Sequence, residues 1–264
     1  YPKFKTKELI ETLKPLGLKK DATVFIHSSW DQFFNFEDSP IQLIEALLNE
    51  IGQNGTLAMP AFPKNQNPDQ LFNVKRTPSG AGFLTEIFRR FPNVKRSINL
   101  IHSVTALGPN ADYLTKDHHK SKTPWDHKSP YYRLKEVDAL ILGLGVGKNL
   151  SVATSLHCID SLLKDSYPFF AQLFEQEITY QYKDYNGTVN SHRMNIRISS
   201  TLNTKQISKY MAKDKFIETK LSNLEIYRIP AKYLIEKGLE LANKGITMYV
   251  TPKPVKKLFI PFKN

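Results

Sequence analysis

The chain has 264 residues, of which 41% are hydrophobic and 11% aromatic, and its formal net charge is +12. This composition is typical of a folded globular protein with a sizeable core, and it excludes a disordered or collagen-like chain. The longest apolar stretch, around residues 139–146, is far shorter than the ~18 residues of a membrane span. A single cysteine, Cys158, excludes an internal disulfide, and the first residues lack the apolar segment of a signal peptide. We therefore expect a soluble protein of the reducing cytoplasm.

Positive charge is concentrated toward the C-terminus, where residues 241–264 hold five lysines and no acidic residue. Such a segment is either a solvated tail or a surface for phosphate, nucleic acid or an acidic partner. Because clustered arginines, a zinc finger and an aromatic ribonucleoprotein motif are lacking, we do not expect nucleic acid to bind.

The first half of the chain alternates helical and strand patterns with short breaks, which predicts an α/β fold. In chain order, the pattern predicts a helix over residues 9–16, a strand over 23–26, a helix capped by Ser39-Pro40 and stopped by Gly52, a strand over 56–59, a helix over 83–91, and strands over 103–107 and 138–142. Residues 171–230 are harder to interpret, with short β-type runs and a hairpin signal at Asn186-Gly187, and a helix returns over 233–242.

Polar or glycine residues follow three of the predicted strands: residues 27–29, 60–62 and 143–147. In open α/β sheets, ligands bind beyond the carboxyl ends of the strands, so these segments are candidates for a binding crevice. The glycines at 143–147 resemble a dinucleotide-binding turn only weakly, because the third glycine of that motif and a ribose-binding acid are lacking. A tight strand exit is the alternative.

A helix is predicted to begin with Ser151 as its N-cap. Within it, His157 and Asp160 are three residues apart and therefore neighbours on one face. A carboxylate beside an imidazole fixes its tautomer, which a general base requires, although a surface hydrogen bond is the commoner explanation of such a pair.

Other reactive residues fit structural roles better than catalytic ones. Cys158 follows His157 directly, but adjacent helical side chains point about 100° apart, so a buried thiol is expected. His118, His119 and His127 lie among lysines, whose charge disfavours a metal ion. We predict no metal site.

Seven short motifs follow one another along the chain: His27-Ser28-Ser29, residues 55–62, residues 77–82, residues 96–104, Ser129-Pro130, residues 142–146 and residues 154–157. In this order and at these spacings they resemble the aminoglycoside 3-N-acetyltransferase family. The resemblance covers about residues 5–165 closely and residues 217–241 more loosely.

The resemblance implies a three-layer α/β/α fold with a mixed central sheet, acetyl-coenzyme A as cosubstrate and no metal. It matches His157 with the histidine that deprotonates the acceptor amine, and Asp160 stands where the family usually has glutamate. The resemblance also implies which residues line the coenzyme A site: His27, Ser28, Ser29, Thr77, Pro78, Ser79, His102, Ser103 and Val104.

We find no internal repeat or linker and predict one acetyltransferase domain over residues 1–264. Its core spans about residues 5–165, and residues 166–264 are expected to shape the acceptor side. A homo-oligomer is left open.

The acceptor is the open question. Aminoglycosides are polycations that call for carboxylates, whereas this chain is basic, most of all in its C-terminal part. We therefore expect direct acetyl transfer to an amine of an amino sugar, with a nucleotide-linked amino sugar as a candidate acceptor. The alternatives are an aminoglycoside 3-N-acetyltransferase that confers resistance, a non-catalytic coenzyme A-binding member of the family, and, last, a nucleotide-dependent oxidoreductase.

Overall fold

The computed structural model describes residues 1–262. Its helices are α1 (Thr6–Leu13), α2 (Pro40–Ile51), α3 (Phe83–Arg89), α4 (Ala111–Thr115), α5 (Pro130–Glu136), α6 (His157–Leu163), α7 (Pro168–Ala171), α8 (Lys205–Ser208) and α9 (Ala231–Asn243). Its strands are β1 (Thr23–Ser28), β2 (Thr56–Pro60), β3 (Phe72–Asn73), β4 (Lys95–Arg96), β5 (Val104–Leu107), β6 (Leu140–Leu144), β7 (Gln176–Lys183), β8 (Val189–Ile196), β9 (Thr201–Leu202), β10 (Ile217–Leu221), β11 (Leu224–Pro230) and β12 (Tyr249–Thr251).

The main sheet has the strand order β10-β11-β6-β1-β2-β5-β4. Its centre is parallel, because β1 pairs in parallel with both β2 and β6. Antiparallel pairing of β5 with β2 and of β11 with β6 makes the sheet mixed. Every residue of β1 and β2 is buried, which is why these strands read as continuous apolar runs in the sequence.

Helices cover both faces of this sheet. Successive strand residues point to opposite faces, and in β1 the side chain of Phe25 joins one apolar cluster while those of Val24 and Ile26 join another. The first cluster includes residues of α4, α5, α6 and α9, and the second includes residues of α1, α2 and α3. The predicted three-layer α/β/α class is confirmed.

Most predicted elements of the first half are present, and the capping signals act as expected. Ser39 Oγ accepts a hydrogen bond from the backbone N–H of Gln42, and Gly52 ends α2 with a positive φ of 69°, which glycine adopts readily.

The C-terminal half builds part of the same core. Strands β10 and β11 extend the main sheet, and α9 packs against α5 and α6. The Asn186-Gly187 turn joins β7 and β8 as predicted, and this hairpin forms a small sheet with β3. The domain boundaries stay a prediction.

The predicted N-cap at Ser151 is wrong. Residues Asn149, Leu150 and Val152 have positive φ angles between 53° and 61°, so the chain after β6 forms an irregular loop. A 3₁₀ turn over Thr154–Leu156 follows, and the α-helix begins at His157.

The basic C-terminal segment is folded back onto the domain in its described part. Strand β12 pairs with β9, and the ring of Phe259 stacks on that of Phe169 at 4.8 Å between centroids. Across residues 1–262, no helix has the length and apolar character needed to cross a membrane.

Candidate active site

A cleft of about 650 Å³ opens at the carboxyl ends of β1, β2 and β6. The three segments expected there from the sequence all contribute to it. Its lining residues are His27, Ser28, Ser29, Pro60, Phe62, Ala81, His102, Gly145, Val146, Ser151, Val152, Ala153, Thr154, Leu156, His157, Arg197, Leu202, Thr204 and Met248. The volume is within the usual range for a small-molecule site.

His157 and Asp160 form a hydrogen-bonded pair at the wall of this cleft. Nδ1 of His157 lies 3.0 Å from Oδ2 of Asp160, and their side chains are 12% and 3% exposed. The carboxylate can only accept, so Nδ1 carries the hydrogen. Within residues 1–262, Nε2 of His157 has no hydrogen-bond partner, which leaves this nitrogen to act as a base toward a ligand.

Burial is the largest influence on the His157 imidazole and lowers its pKa below the ordinary 6.5. The hydrogen bond that Nδ1 donates to Asp160 raises the pKa, and the nearby charge of Arg197 lowers it further. The neutral imidazole is therefore the dominant form at neutral pH, as a general base requires.

Two residues of this site were not found from the sequence. The hydroxyl of Tyr249 donates to Oδ2 of Asp160 at 2.6 Å, and Nη1 of Arg197 lies 3.3 Å from that hydroxyl and 3.4 Å from Nδ1 of His157. Arg197 follows β8 and Tyr249 begins β12. No periodic pattern could have linked them to α6, because only tertiary contacts bring these distant segments together.

The indole of Trp125 packs between two histidines of the site. The indole of Trp125 packs 4.8 Å from the imidazole of His157 and 4.8 Å from that of His102, measured between ring centroids. The guanidinium of Arg197 lies over the same indole at 5.8 Å. These contacts restrict the rotation of His157.

Three polar atoms of cleft residues have no hydrogen-bond partner in the described chain: Nε2 of His27, Oγ of Ser28 and Nδ1 of His102. Burial lowers the pKa of His27 to about 3 and that of His102 well below 6.5, so both imidazoles are neutral. Since buried polar atoms are normally paired, these atoms are candidates to contact a ligand.

The other five residues assigned from the resemblance do not line the cleft, and three of them brace segments that do. Ser103 Oγ donates to the carbonyl of Ala61 at 2.9 Å, and Val104 pairs with Pro60 in the sheet. Ser79 Oγ accepts from the N–H of Ala81 at 3.2 Å. Pro78 and Thr77 also lie outside the lining set, and Thr77 accepts a hydrogen bond from the backbone N–H of Asn73. Direct contact of these five residues with coenzyme A stays a prediction.

The glycines at the end of β6 have packing reasons to be glycine. A Cβ at Gly143 would lie 2.1 Å from the ring of Tyr227, and one at Gly145 would lie 2.7 Å from Cβ of Gln32. In the described part of the chain, no helix starts directly after β6 to receive a pyrophosphate. The tight strand exit is therefore the better explanation, and the dinucleotide interpretation loses its support.

Cys158 is fully buried, and burial raises its pKa well above the ordinary value. A thiol in this state is a poor nucleophile. Among the described residues, no group of three or more histidine, cysteine, aspartate or glutamate side chains is arranged to hold a metal ion.

The fold and site together are a three-layer α/β/α domain with a largely buried His-Asp pair beside a strand-end cleft of small-molecule size. A sequence profile described as aminoglycoside 3-N-acetyltransferase matches residues 25–242. The chain belongs to this family.

Curated relatives include aminoglycoside N(3)-acetyltransferase IV of Salmonella sp., which is 35% identical over 162 residues. The matched segments cover 61% of this chain and 60% of that relative. The aminoglycoside N(3')-acetyltransferase-like protein YokD of Bacillus subtilis is 29% identical, with 45% of this chain and 51% of the relative covered. The chain thus spans less than two thirds of the length of these relatives.

Solved structures share the fold along most of the chain. The apoenzyme of aminoglycoside acetyltransferase AAC(3)-IVa is 25% identical with a TM-score of 0.72, and the match covers 90% of this chain and 88% of that one. A mutant of AAC(3)-IVa in complex with gentamicin has a TM-score of 0.79 at 22% identity, with 99% of each chain covered. AAC-IIIb bound to CoASH has a TM-score of 0.76 at 20% identity, covering 95% and 99%.

Proposed function

We propose that this protein is an acetyl-coenzyme A-dependent N-acetyltransferase that acts on an amine of an aminoglycoside, with His157 as the general base. The observation that carries the proposal is the buried His157–Asp160 pair, 3.0 Å apart, whose imidazole lines the strand-end cleft of a member of this family.

The chemistry requires one proton acceptor and no covalent intermediate on the enzyme. Nε2 of His157 takes a proton from the acceptor amine while the amine nitrogen attacks the acetyl carbon of the thioester. A C–N bond forms, the C–S bond breaks, and the proton on His157 passes to the departing thiolate. Asp160 keeps the hydrogen on Nδ1 throughout and stabilises the transient imidazolium.

The cleft suits the coenzyme A cosubstrate. Its volume and its apolar lining of Phe62, Val146, Leu156 and Met248 can take the pantetheine arm. The unpartnered Nε2 of His27 and Nδ1 of His102 are positioned to bond polar groups of that arm or of the acetyl carbonyl. In support, a relative of the same fold is solved with CoASH bound.

The comparisons support an aminoglycoside as acceptor over the nucleotide-linked amino sugar expected from charge. Relatives across the family carry aminoglycoside N(3)-acetyltransferase names, and neighbours of the same fold are solved with gentamicin or sisomicin. Resistance to these antibiotics would be the physiological consequence.

One observation keeps an anionic acceptor as the second candidate. The lining residues within the described chain include the cation Arg197 and no aspartate or glutamate. A polycation would therefore meet its carboxylates only outside this cleft.

Thiol release from acetyl-coenzyme A, with an aminoglycoside panel and a nucleotide-linked amino-sugar panel, decides between them. We expect release with aminoglycosides. Release with nucleotide sugars alone would support the second candidate, and binding of coenzyme A without release in either panel would indicate a non-catalytic member of the family.

A further inference from the structure

We propose that Tyr249 and Arg197 are positioning residues for the base, which extend the His157–Asp160 pair into a four-residue hydrogen-bonded chain. This inference rests on the proposed role of His157. It assigns a purpose to the basic C-terminal segment, because β12 delivers Tyr249 to the site.

The donors and acceptors of these four hydrogen-bonded residues are mutually consistent. Arg197 Nη1 donates to the Tyr249 hydroxyl at 3.3 Å, the hydroxyl donates to Asp160 Oδ2 at 2.6 Å, and Nδ1 of His157 donates to the same oxygen at 3.0 Å. Because Nδ1 already carries the hydrogen that Asp160 accepts, the 3.4 Å approach of Arg197 to Nδ1 is a charge contact and not a second hydrogen bond.

This arrangement fixes the carboxylate in place. Asp160 is 2% exposed, and its Oδ2 takes two donors from different elements, one on α6 and one on β12. A buried carboxylate that accepts from two donors is held in one orientation, and the imidazole bonded to it is held in one orientation as well. The ring of Tyr249 is itself held by edge contact with Phe169 at 5.5 Å.

These four hydrogen-bonded residues also balance the charge around the imidazole of His157. The groups that face His157 are the carboxylate of Asp160 on α6, the guanidinium of Arg197 after β8, the neutral imidazole of His102 before β5, the neutral Trp125 indole and the Tyr249 hydroxyl on β12. Arg197 opposes protonation of His157, and the Tyr249 hydroxyl draws negative charge on Asp160 toward itself.

Removing either group is therefore expected to make His157 more basic. Tyr249→Phe deletes one donor to Asp160, which then holds an imidazolium more strongly. Arg197→Met deletes the opposing cation, whereas Arg197→Lys keeps the charge. We expect the pKa of His157 to rise in the first two variants and to stay near the wild-type value in the third.

NMR titration of isotope-labelled histidines measures this pKa directly, with the His157 signals assigned by their loss in His157→Ala. The matched controls are Tyr180→Phe, at a buried tyrosine of β7, and Arg193→Met, at an exposed arginine of β8, and both should leave the titration unchanged. A His157 pKa unchanged in folded Tyr249→Phe and Arg197→Met would overturn the proposal, whether or not the protein turns over an aminoglycoside.

Kinetics give a second readout where turnover is present. We expect Tyr249→Phe to lower kcat about tenfold with KM changed less than threefold, and its activity at pH 6 relative to pH 8 to fall at least about twofold. If Tyr249→Phe instead raises KM, leaves kcat unchanged and lowers kcat/KM equally at both pH values, Tyr249 only shapes the cleft. That result would contradict the positioning role.

Discussion

Asp160 Oδ2 lies 3.0 Å from Nδ1 of His157 and is almost completely shielded from water. The carboxylate therefore acts on one nitrogen of the ring, and the other nitrogen is left for the substrate. We expect His157→Ala to lower kcat by about 10²- to 10⁴-fold, the range for a lost general base. Steady-state thiol release measures this, with His127→Ala on an exposed loop as control. Wild-type turnover in His157→Ala would contradict the assignment.

The pH dependence of activity should follow the lowered pKa of His157. Because the proposed base acts in its neutral form, the enzyme's own limb of the kcat/KM profile should lie below pH 6.5, and the acceptor amine should add a limb of its own. Profiles measured with two acceptors of different amine pKa distinguish the titration of the enzyme from that of the acceptor. The limb whose pKa is the same with both acceptors belongs to the enzyme. A fixed limb above pH 7 would disagree with a buried, neutral base.

Buried histidines should make stability sensitive to acid. Burial lowers the pKa of His27 and of His118 to about 3, whereas the unfolded chain titrates near 6.5. Between these values the unfolded state binds more protons, so each histidine contributes stability that is present above pH 6.5 and is lost as the pH falls toward 3. From about pH 7 to about pH 5 the free energy of unfolding should fall by roughly 2 kcal/mol for each histidine.

Urea denaturation at the two pH values tests this, with His118→Gln as the comparison. His118 is neutral and bridges Ser97 and the carbonyl of Pro124. The variant should lose less stability on acidification than the wild type; an identical loss would show that His118 does not contribute.

Cys158 is predicted to be dispensable for transfer. Its thiol is buried and protonated, so Cys158→Ala should keep kcat within about threefold of wild type. Mass spectrometry of enzyme mixed with acetyl-coenzyme A alone should show no acetyl adduct. Ping-pong kinetics with an acetylated Cys158 would overturn direct transfer.

Gly143 should tolerate no side chain while Tyr227 is present. A Cβ there would meet three ring atoms of Tyr227 at 2.1 to 2.6 Å, and a buried aromatic ring cannot move aside cheaply. We expect Gly143→Ala to destabilise the fold by about 1 to 3 kcal/mol, as overpacked cores do. In a Tyr227→Leu background, Gly143→Ala should lower the free energy of unfolding by less, as measured by urea denaturation. An equal loss in the two backgrounds would show that the backbone conformation of Gly143, and not the ring of Tyr227, causes the effect.

Local signals in the sequence predicted most of the longer helices and strands of the first half and the proximity of His157 to Asp160. The Ser39-Pro40 cap and the apolar strands depend on neighbouring residues, and His157 with Asp160 depends on helical spacing. The start of α6 was misplaced because Leu150 and Val152 adopt left-handed backbone angles that no helix pattern reveals. Arg197 and Tyr249 reach Asp160 and His157 only through the packing of β8 and β12, so spacing carried no information about them.

The most direct test of the central claim is the identity of the product formed by wild type and by His157→Ala from acetyl-coenzyme A and an aminoglycoside. We predict one acetylated amine on the antibiotic, located by NMR, from the wild type and almost none from folded His157→Ala. An unmodified antibiotic with the wild type, or equal product with both proteins, would contradict the account.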